Sequence, residues 1–442
     1  MTSEQRTFED LEGEGSSQVE LRDVTTHIVD SEHKSAPESE DGYPYVKTSD
    51  IENGRINFDD ISYVDEEAYQ EWTRRLTPEP GDIIFTREAP VGRVGLIPDD
   101  AEVCLGQRTV LIRPDAEKLD NQYLRYLLLS EDIQNRLDSL STGSTVDHLN
   151  LSDLRSFEIT LPDIETQKRI GEILRLFDEK IAVNHSIVEI LEEISETIFN
   201  QRFVDFKLYE EFKETKAGKI PDSFELKTLE DVLSFQRGYS YSGDEIIDEE
   251  SEKSPSDGHP MINLGNIDPG GGYRPEKIKY CSEVPHDRYL TEPGDLIISH
   301  TDMTQDRDIL GSPIIVPDLN QSPMLFSHHL YAIRNTNLPK EFLYHYFLSP
   351  YFKPKAENFA SGTTVLSFSS KITSDVYIPI PPEEKLREYI DTSRPIFEKI
   401  ESIRRENENL EQLRDSLLPK LMSGEVRVND ISLGELEVDS EV

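Results

Sequence analysis

The chain is poor in cysteine, and its two cysteines, Cys104 and Cys281, lie far apart in the sequence. They form neither a zinc-ligand pattern nor a disulfide framework, which fits a reducing compartment. No run of about 18 apolar residues is present, so the sequence predicts no transmembrane helix. The first residues, Met1–Gly15, are acidic and lack the basic and apolar regions of a secretory signal. These absences predict a cytoplasmic protein.

Motifs for catalysis and cofactor binding are also missing. The sequence contains no Walker A loop, no GxGxxG, no HExxH and no Asn-Pro-Pro-Tyr. The run Gly270–Gly272 lacks the strand-loop-helix context of a phosphate site, and His328-His329 has no cysteine or carboxylate at ligand spacing. We therefore expect no catalytic residue, no bound metal and no cofactor in this chain.

Positive charge is scarce. The chain has 46 Lys and Arg against 88 Asp and Glu, which gives a formal net charge of −42. The acidic residues are spread through every segment, a pattern typical of proteins from a salt-rich cytoplasm. At molar salt the Debye length is about 3 Å, so net charge loses its reach. A local DNA-binding surface is therefore compatible with this composition.

Two stretches predict long helices, because their apolar residues recur at alternating steps of four and three. The first stretch has Ile170, Leu174, Phe177, Ile181, Asn184, Val188, Leu191 and Ile198 at these steps. The second has Ile396, Ile400, Ile403, Asn407, Leu410, Leu417 and Leu421, with Arg414 at one step. Ile173, Ile187, Ile190 and Ile194 widen the first stripe, so we expect that helix to bury more than one face. The two asparagines either fix the register of a buried seam or face solvent.

The two halves of the chain repeat each other. Glu79–Phe85 matches Glu292–Ile298, and Ser141–Val146 matches Ala360–Val365. The segments between the matched motifs diverge, notably Gly238–Gly258 and Thr301–Ile309. A repeated scaffold with divergent loops is typical of two related domains that recognise different targets.

Short strands mixed with helices predict an α+β fold, with two tandem α/β domains separated and followed by long helices. The predicted boundaries are an acidic disordered tail at 1–18, a first domain at 19–163, a first long helix at 164–206, a second domain at 207–382, a second long helix at 383–424 and a tail at 425–442.

Three phrases resemble a known family. They are Leu226–Val232 (LKTLEDV), Gly81–Arg87 (GDIIFTR) and Arg414–Glu425 (RDSLLPKLMSGE). They are similar to the specificity subunits of Type I restriction-modification systems, and the similarity covers roughly residues 19 to 428. The order domain, helix, domain, helix is itself the hallmark of that family.

The resemblance implies a non-catalytic subunit that reads a bipartite target in double-stranded DNA. It implies two target-recognition domains, held apart by helices that pair antiparallel within the chain. It also implies partners, namely two methyltransferase subunits and two restriction and translocase subunits. S-adenosylmethionine, ATP and Mg²⁺ are then expected only on those partners.

Loop residues with basic, amide or aromatic side chains are the candidate DNA contacts. In the first half they are Arg87, Arg93, Gln107 and Arg108. In the second half they are Arg237, Tyr239, Tyr241, Arg274, Lys277, Lys279, His300 and Arg307. Each arginine could equally be an ordinary surface residue, and Tyr241 could belong to the core. Gly143 and Gly362 either bring backbone N–H groups near phosphate or simply turn the chain.

Other functions fit parts of the sequence. The chain could be an orphan specificity protein that serves a methyltransferase only. It could also be a structural protein whose coiled coil is its function. A standalone DNA endonuclease could use Pro114-Asp115 and Glu214–Lys216, although such pieces arise by chance in so acidic a chain.

Overall fold

A computed structural model describes residues 17–141, 148–247, 258–274, 277–282, 286–304, 307–318, 323–363 and 365–428. The chain divides into two compact units. Unit 1 comprises residues 1–183 and 408–442, and unit 2 comprises residues 184–407. In the described part of the chain, no helix combines the length and the apolar character needed to cross a membrane.

Unit 1 is built mainly of short antiparallel strands. The strands are β1 Ser17–Glu20, β2 Thr25–Asp30, β3 Tyr43–Val46, β4 Ile51–Glu52, β5 Arg55–Ile56, β6 Ser62–Val64, β7 Ile83–Arg87, β8 Val91–Leu96, β9 Cys104–Leu105, β10 Thr109–Pro114 and β11 Glu158–Leu161. A four-stranded sheet has the order β2-β10-β7-β8, and a smaller one has the order β6-β3-β9. Within the smaller sheet β3 and β9 run parallel.

The central strand β7 is buried on both faces. Ile83 and Phe85 belong to one apolar cluster, and Ile84 belongs to another. This division follows from the strand geometry, because successive side chains point to opposite faces of a sheet. The uninterrupted apolar run Ile83–Phe85 is therefore the sequence mark of a strand between two cores.

One face of this sheet is covered by α2 Asn121–Leu129, α3 Glu131–Leu140 and α4 Leu151–Arg155. Helix α1 Glu66–Trp72 packs instead against the smaller sheet. Asp120 caps α2 by accepting a hydrogen bond from the Tyr123 amide at 2.9 Å. The sequence predicts one helix over 121–140, but Ser130 adopts an extended conformation and divides it into α2 and α3.

Unit 2 repeats the sheets of unit 1. Its strands are β12 Phe212–Thr215, β13 Gly218–Pro221, β14 Glu225–Thr228, β15 Ser234–Arg237, β16 Ile246–Ile247, β17 His259–Ile262, β18 Lys279–Cys281, β19 Leu290–Thr291, β20 Leu296–Ser299, β21 Thr301–Asp302, β22 Pro313–Ile315, β23 Met324–Phe326, β24 Leu330–Arg334, β25 Leu366–Ser367 and β26 Tyr377–Ile380. The order β15-β24-β20-β22 corresponds to β2-β10-β7-β8 in unit 1. The parallel pair β17 and β23 corresponds to β3 and β9. Two helices, α6 Lys340–Leu348 and α7 Lys353–Phe359, complete the unit.

Each of two long helices has residues in both units. Helix α5 extends over Ile164–Phe203 and α8 over Glu383–Met422, each 40 residues long. Asp163 caps α5, because its Oδ1 accepts hydrogen bonds from the amides of Glu165 and Thr166, each at 3.1 Å. The sequence places the ends of these helices at 206 and 424, slightly beyond the observed ends. The predicted α+β fold with an antiparallel helix pair is confirmed.

Within unit 1 the two helices meet around a buried carboxylate. The Asp178 side chain is 5% exposed and accepts from Arg125 Nη2 at 2.6 Å and from Arg414 Nη1 at 2.7 Å. The Tyr126 hydroxyl donates to it at 2.7 Å. Burial raises the pKa of Asp178, but Arg125, Tyr126 and Arg414 outweigh burial, and the pKa lies below its ordinary value. Asp178 therefore links both long helices to α2.

Within unit 2 the helix pair has an apolar seam with one polar layer. Val188, Ile400 and Ile403 form a buried cluster, and Leu191 and Ile396 pack against it. Beside the cluster, Asn184 Nδ2 donates to Asn407 Oδ1 at 2.7 Å, and both residues are buried. The two asparagines thus face each other across the antiparallel seam.

One expectation about α5 is wrong. Ile173 is buried, but Ile187, Ile190 and Ile194 are 37%, 56% and 43% exposed. The wider stripe therefore does not bury a second face within the chain. Periodicity shows that an apolar face exists but does not show what covers it.

The ends of the described chain differ from the expected tails. Ser17 and Gln18, expected in the first tail, pair in β1 with β11. Val426 and Val428, expected in the second tail, pack against the core of unit 1. The rest of the predicted tails, 1–16 and 429–442, lies outside the described residues.

Candidate nucleic-acid interface

In unit 1 three segments converge at one end of the sheet. The amide of Arg87, at the end of β7, donates to the carbonyl of Arg108 at 3.0 Å, and the amide of Leu149 donates to the carbonyl of Arg87 at 3.0 Å. Glu88 and His148 form an isolated antiparallel bridge beside these bonds. The segments after β7, before β10 and before α4 are thus joined by backbone hydrogen bonds. They form a surface of loops carried by the sheet.

Arg87 lies inside this surface and not on it. Its side chain is 9% exposed, with Nε 3.3 Å from Asp30 Oδ1 and Nη2 3.9 Å from Glu88 Oε1. These ion pairs make Arg87 part of the support of the loops. Its contact with DNA stays a prediction.

The other candidates in unit 1 differ in exposure. Arg93 is half-buried, and its Nη1 donates to the carbonyls of Thr48 at 3.0 Å and Ile51 at 3.2 Å. Gln107 donates to Ser35 Oγ at 2.9 Å. The Arg108 side chain is 50% exposed, and its Nε lies 3.5 Å from Glu88 Oε2. Arg108 is therefore the candidate of unit 1 that is best placed to meet a ligand.

Unit 2 has the same convergence of segments. The amide of His300 donates to the carbonyl of His329 at 3.1 Å, and the amide of Phe368 donates to the carbonyl of His300 at 3.1 Å. Strands β21 and β25 pair beside them, with Thr301 opposite Ser367. The segments after β20, before β24 and around β25 therefore form the corresponding surface.

His300, the corresponding candidate of unit 2, is also buried. It is 3% exposed, it stacks on Tyr331 with ring centroids 4.0 Å apart, and its Nε2 lies 2.8 Å from the His328 carbonyl. Burial lowers the pKa of His300 to about 4, so the ring is neutral at neutral pH. A stacked neutral ring at this position supports the loops, and a contact of His300 with DNA stays a prediction.

Arg237 is exposed at the end of β15, and its Nε donates to the His328 carbonyl at 3.0 Å. Tyr239 and Tyr241 are half-buried and pack against the cluster of Met261, Cys281 and Leu325. Burial also raises the pKa of Tyr241. Of these three candidates, Arg237 presents its side chain to solvent, whereas the tyrosines contribute mainly to packing.

The remaining cations of unit 2 are exposed. Lys277 and Lys279 lie at the surface near β18, and Arg274 pairs with Asp268. Arg307 is exposed, has a positive φ of 65° and donates from Nη1 to the Glu357 carbonyl at 3.2 Å. Arg237 and Lys279 both act electrostatically on His329, so these two cations lie near that histidine.

Two glycines, Gly143 and Gly362, are also candidate DNA contacts. Gly143 lies outside the described residues. Gly362 has a φ of +138°, and a Cβ at this position would lie 2.0 Å from the Val365 carbonyl oxygen. Only glycine fits there, because the turn leaves no room for a side chain. Its contact with phosphate stays a prediction.

Unit 2 also holds a cavity of about 870 Å³ between the helix pair and the loop Asp268–Tyr273. Two ion pairs line it, Glu192 with Arg404 at 2.6 Å and Glu341 with Arg394 at 2.9 Å. None of the candidate DNA contacts lines this cavity. Among the described residues, no three His, Cys, Asp or Glu side chains are grouped in a way that could hold a metal ion.

Sequence reasoning missed several residues of the two loop surfaces. Glu88 contacts both Arg87 and Arg108, and His148 Nδ1 lies 2.7 Å from its Oε1. In unit 2, Thr301 Oγ1 lies 3.0 Å from His329 Nδ1. An acidic residue in so acidic a chain carries no signal. The signal that could have found this set is the register of the internal repeat.

Comparisons with known proteins agree on one family. A family model described as the Type I restriction modification DNA specificity domain matches residues 15–193 and 221–412. The chain is 27% identical over 377 residues to the Type I restriction enzyme MjaIX specificity subunit of Methanocaldococcus jannaschii, covering 83% of this chain and 82% of that protein. It is 26% identical over 423 residues to the putative MjaX specificity subunit of the same organism, covering 92% and 93%. The crystal structure of an M. genitalium Type I S subunit has the same fold, with 18% identity, a TM-score of 0.54, and 93% and 97% of the two chains covered.

Proposed function

The chain belongs to the Type I restriction-modification DNA specificity family, and on this premise we propose that it is the non-catalytic DNA-recognition subunit of a Type I restriction-modification complex. Units 1 and 2 each read one block of a bipartite double-stranded target, and the long helices serve as the spacer. As a DNA-recognition subunit it acts in the cytoplasm. The chain itself carries no cofactor. S-adenosylmethionine, ATP and Mg²⁺ belong to its partners.

The observation that carries this proposal is the repeated loop surface. In each unit, the same backbone hydrogen bonds join the loop after one central strand to the loop before its neighbour. The side chains on this common frame differ between the units, as Arg108 and His329 illustrate. One scaffold with two sets of side chains is suited to reading two different DNA sequences, because base edges are read by side chains and not by the frame.

An exposed apolar stripe supports the proposed partners. Ile187, Ile190 and Ile194 lie on one face of α5 and are 37% to 56% exposed. Residues three and four positions apart lie on the same helix face, so they form a continuous stripe. Contiguous exposed apolar surface is typical of protein interaction sites. We assign this stripe to the methyltransferase subunits, two per chain, with two restriction and translocase subunits completing the complex.

The test of the stripe is co-purification. Replacing Ile187, Ile190 and Ile194 together by Gln removes apolar area without changing charge, so we expect loss of methyltransferase binding and an unchanged fold. Leu208→Gln is the matched control, because Leu208 is an apolar residue of unit 2 that is 63% exposed outside the stripe. Full methyltransferase binding by the triple variant would assign the partner to another surface.

The test of function is methylation. The chain co-expressed with its methyltransferase subunits should produce N6-methyladenine in a bipartite motif, detected by single-molecule sequencing of genomic DNA. The purified chain with S-adenosylmethionine or Mg²⁺ alone should neither methylate nor cut DNA. Cleavage by the chain alone would favour the endonuclease alternative. Activity that is complete without a restriction subunit encoded nearby would favour the orphan alternative.

The charge of −42 supports operation at high salt. Acidic side chains repel one another, and screening by molar salt removes that penalty. We propose that DNA contacts in this protein act at short range, through individual side chains of the two loop surfaces.

A further inference from the structure

The backbone hydrogen bonds put the two loop surfaces in residue-by-residue register. Arg87 N to Arg108 O in unit 1 is matched by His300 N to His329 O in unit 2. Leu149 N to Arg87 O is matched by Phe368 N to His300 O. Positions 87, 108 and 149 therefore correspond to positions 300, 329 and 368. Gln107 then corresponds to His328, and Glu88 corresponds to Thr301.

The strand pairing extends this register to a further position. Asp30 lies opposite Val110 on β10, and Arg237 lies opposite Tyr331 on β24. Val110 and Tyr331 each follow by two residues the equivalent positions 108 and 329, so Asp30 corresponds to Arg237. The frame is conserved while the charge at this position is inverted.

The buried residue next to this position, Arg87 in unit 1 and His300 in unit 2, matches the charge of Asp30 or Arg237. In unit 1, Arg87 forms an ion pair with Asp30, Nε to Oδ1, at 3.3 Å. In unit 2 the equivalent residue is His300, which is buried and lies close enough to Arg237 for that cation to help lower its pKa to about 4. A neutral imidazole avoids repulsion by Arg237, whereas a second arginine would not. The residue at position 87 or 300 and the residue at position 30 or 237 therefore differ together between the two units.

The residues at positions 88 and 108 also differ together from their counterparts in unit 2. In unit 1, Arg108 Nε lies 3.5 Å from Glu88 Oε2. In unit 2, Thr301 Oγ1 lies 3.0 Å from His329 Nδ1. Each unit therefore pairs the residue at position 108 or 329 with the residue at position 88 or 301. The pair is ionic in unit 1 and neutral in unit 2.

Arg108 and His329 offer different hydrogen-bonding groups to a base edge. Arginine presents a donor-only fork that matches the O6 and N7 acceptors of guanine in the major groove. Burial and the neighbouring His328, His300, Arg237 and Lys279 lower the pKa of His329 to about 4, so its ring is neutral. With Nδ1 engaged by Thr301, Nε2 is the ring nitrogen that can make a single hydrogen bond to a base edge.

We propose that Arg108 and His329 are equivalent specificity-determining residues, each contacting a base edge in its own block of the target. Glu88 and Thr301 are positioning residues that hold the arginine and the imidazole toward the groove. This inference rests on the proposed function and names the residues that carry it out. The sequence marked Thr301 only as the first residue of a divergent segment and did not mark Glu88. Among the residues that the structure describes, His328 and His329 are not part of a group that could hold a metal ion.

The test is the methylation specificity of single variants in the complete complex. Arg108→Ala should relax discrimination at one base pair of one block by about 10- to 100-fold, the range of a bidentate arginine contact. His329→Ala should relax one base pair of the other block by about 3- to 10-fold, as expected for one hydrogen bond. The readout is the sequence distribution of N6-methyladenine on a randomised DNA library.

A transplant tests the equivalence of the two positions. The double variant Thr301→Glu with His329→Arg places the pair of unit 1 on the frame of unit 2. We expect a new preference for guanine at the affected position of the second block, with the first block unchanged. Glu88→Gln should keep the preference of unit 1 but weaken it, because the amide oxygen can accept from Arg108 while the negative charge is lost. Loss of the preference on Glu88→Ala and its partial return on Glu88→Gln separates positioning from mere folding.

The controls are residues of similar exposure away from the loop surfaces. Arg22→Ala removes an arginine that is 58% exposed and paired with Glu20, and His286→Ala removes an exposed histidine of unit 2. Neither should change the methylated motif. If Arg108→Ala and His329→Ala lower methylation of all sequences by one common factor, the two residues contact phosphate and the proposal is wrong. If the wild-type complex methylates no bipartite motif, the proposed function fails first, independently of these variants.

Discussion

Asp178 is the single residue whose loss should cost unit 1 most. Its buried carboxylate accepts from Arg125 and Arg414 and from the Tyr126 hydroxyl. Asp178→Ala leaves Arg125, which is 4% exposed, without its counter-charge. We expect a loss of about 3–5 kcal/mol in the free energy of unfolding, the range for one partner of a buried ion pair. Denaturant unfolding followed by circular dichroism measures it.

The matched control is a neighbouring carboxylate on the same helix. Glu179 pairs with Arg175 at the surface, and its side chain is 52% exposed. Glu179→Ala should cost less than about 1 kcal/mol, because exposed ion pairs contribute little. Similar losses in the free energy of unfolding for Asp178→Ala and Glu179→Ala would show that burial does not make the Asp178 ion pairs more stabilising than a surface pair.

The same carboxylate predicts a pH dependence. The folded-state pKa of Asp178 lies below its ordinary value, as the arginines and Tyr126 outweigh burial. Its contribution to stability is then fully present above the ordinary aspartate pKa of about 3.9. It is lost as the pH falls through the lower folded value. The difference in unfolding free energy between the wild type and Asp178→Asn should be constant near neutrality and narrow below about pH 4. A difference that stayed constant in acid would contradict the lowered pKa.

At the residue level the sequence predicted which segments meet at the loop surfaces, but it did not predict which of their side chains are exposed. It marked Arg87 and Arg108 alike, since both are arginines beside a loop. Arg87 is buried because Asp30, distant in the chain, lies beside it in the folded unit. Such a long-range ion pair leaves no local pattern. For the same reason Glu88 and Thr301 could be recognised only after the register of the strands was known.

At the scale of elements, the polar layer of the helix pair in unit 2 allows a double-mutant test. Asn184→Ala removes the hydrogen bond to Asn407, and we expect a loss of about 1–2 kcal/mol. Replacing both asparagines by Leu should lower the free energy of unfolding by less than the sum of the two single Leu replacements. The reason is that neither Leu side chain then faces a polar partner. Additive losses in the thermal or denaturant unfolding of these variants would mean that the two asparagines are not coupled.

Both long helices could be predicted from sequence because a helical stripe is a local property. Steps of four and three residues identify one helix face without reference to the rest of the chain. The same reasoning failed for Ile187, Ile190 and Ile194, which belong to a stripe that the chain leaves exposed. It also missed the break at Ser130, because an isolated serine between two helical patterns does not itself mark a boundary.

At the scale of the whole molecule, the internal duplication predicts modular recognition. Residues 230–378 lie within unit 2 and begin and end close to the paired strands β14 and β26. Replacing this stretch by the matching stretch of a relative should change one block of the methylated motif and leave the other unchanged. Genome-wide N6-methyladenine sequencing measures both blocks at once. A change in both blocks would contradict independent recognition by the two units.

Net charge gives the second prediction for the whole molecule. Raising KCl from about 0.1 M to about 1 M shortens the Debye length from about 10 Å to about 3 Å. Repulsion among the acidic side chains then falls, so the unfolding temperature should rise. KCl is the proper salt for this measurement, because sulfate and phosphate salts strengthen apolar burial in any protein. An unfolding temperature that is constant or falls across this range would argue against adaptation to high salt.

Unit 1 is assembled from two separate stretches, residues 1–183 and 408–442, whereas unit 2 is continuous in sequence. All residues of unit 2 are therefore translated before Leu421 and Met422, which belong to the core of unit 1. The half that is translated first is thus the half that finishes folding last. A nascent chain that ends before residue 408 carries every residue of unit 2 but lacks Leu421 and Met422 from the core of unit 1.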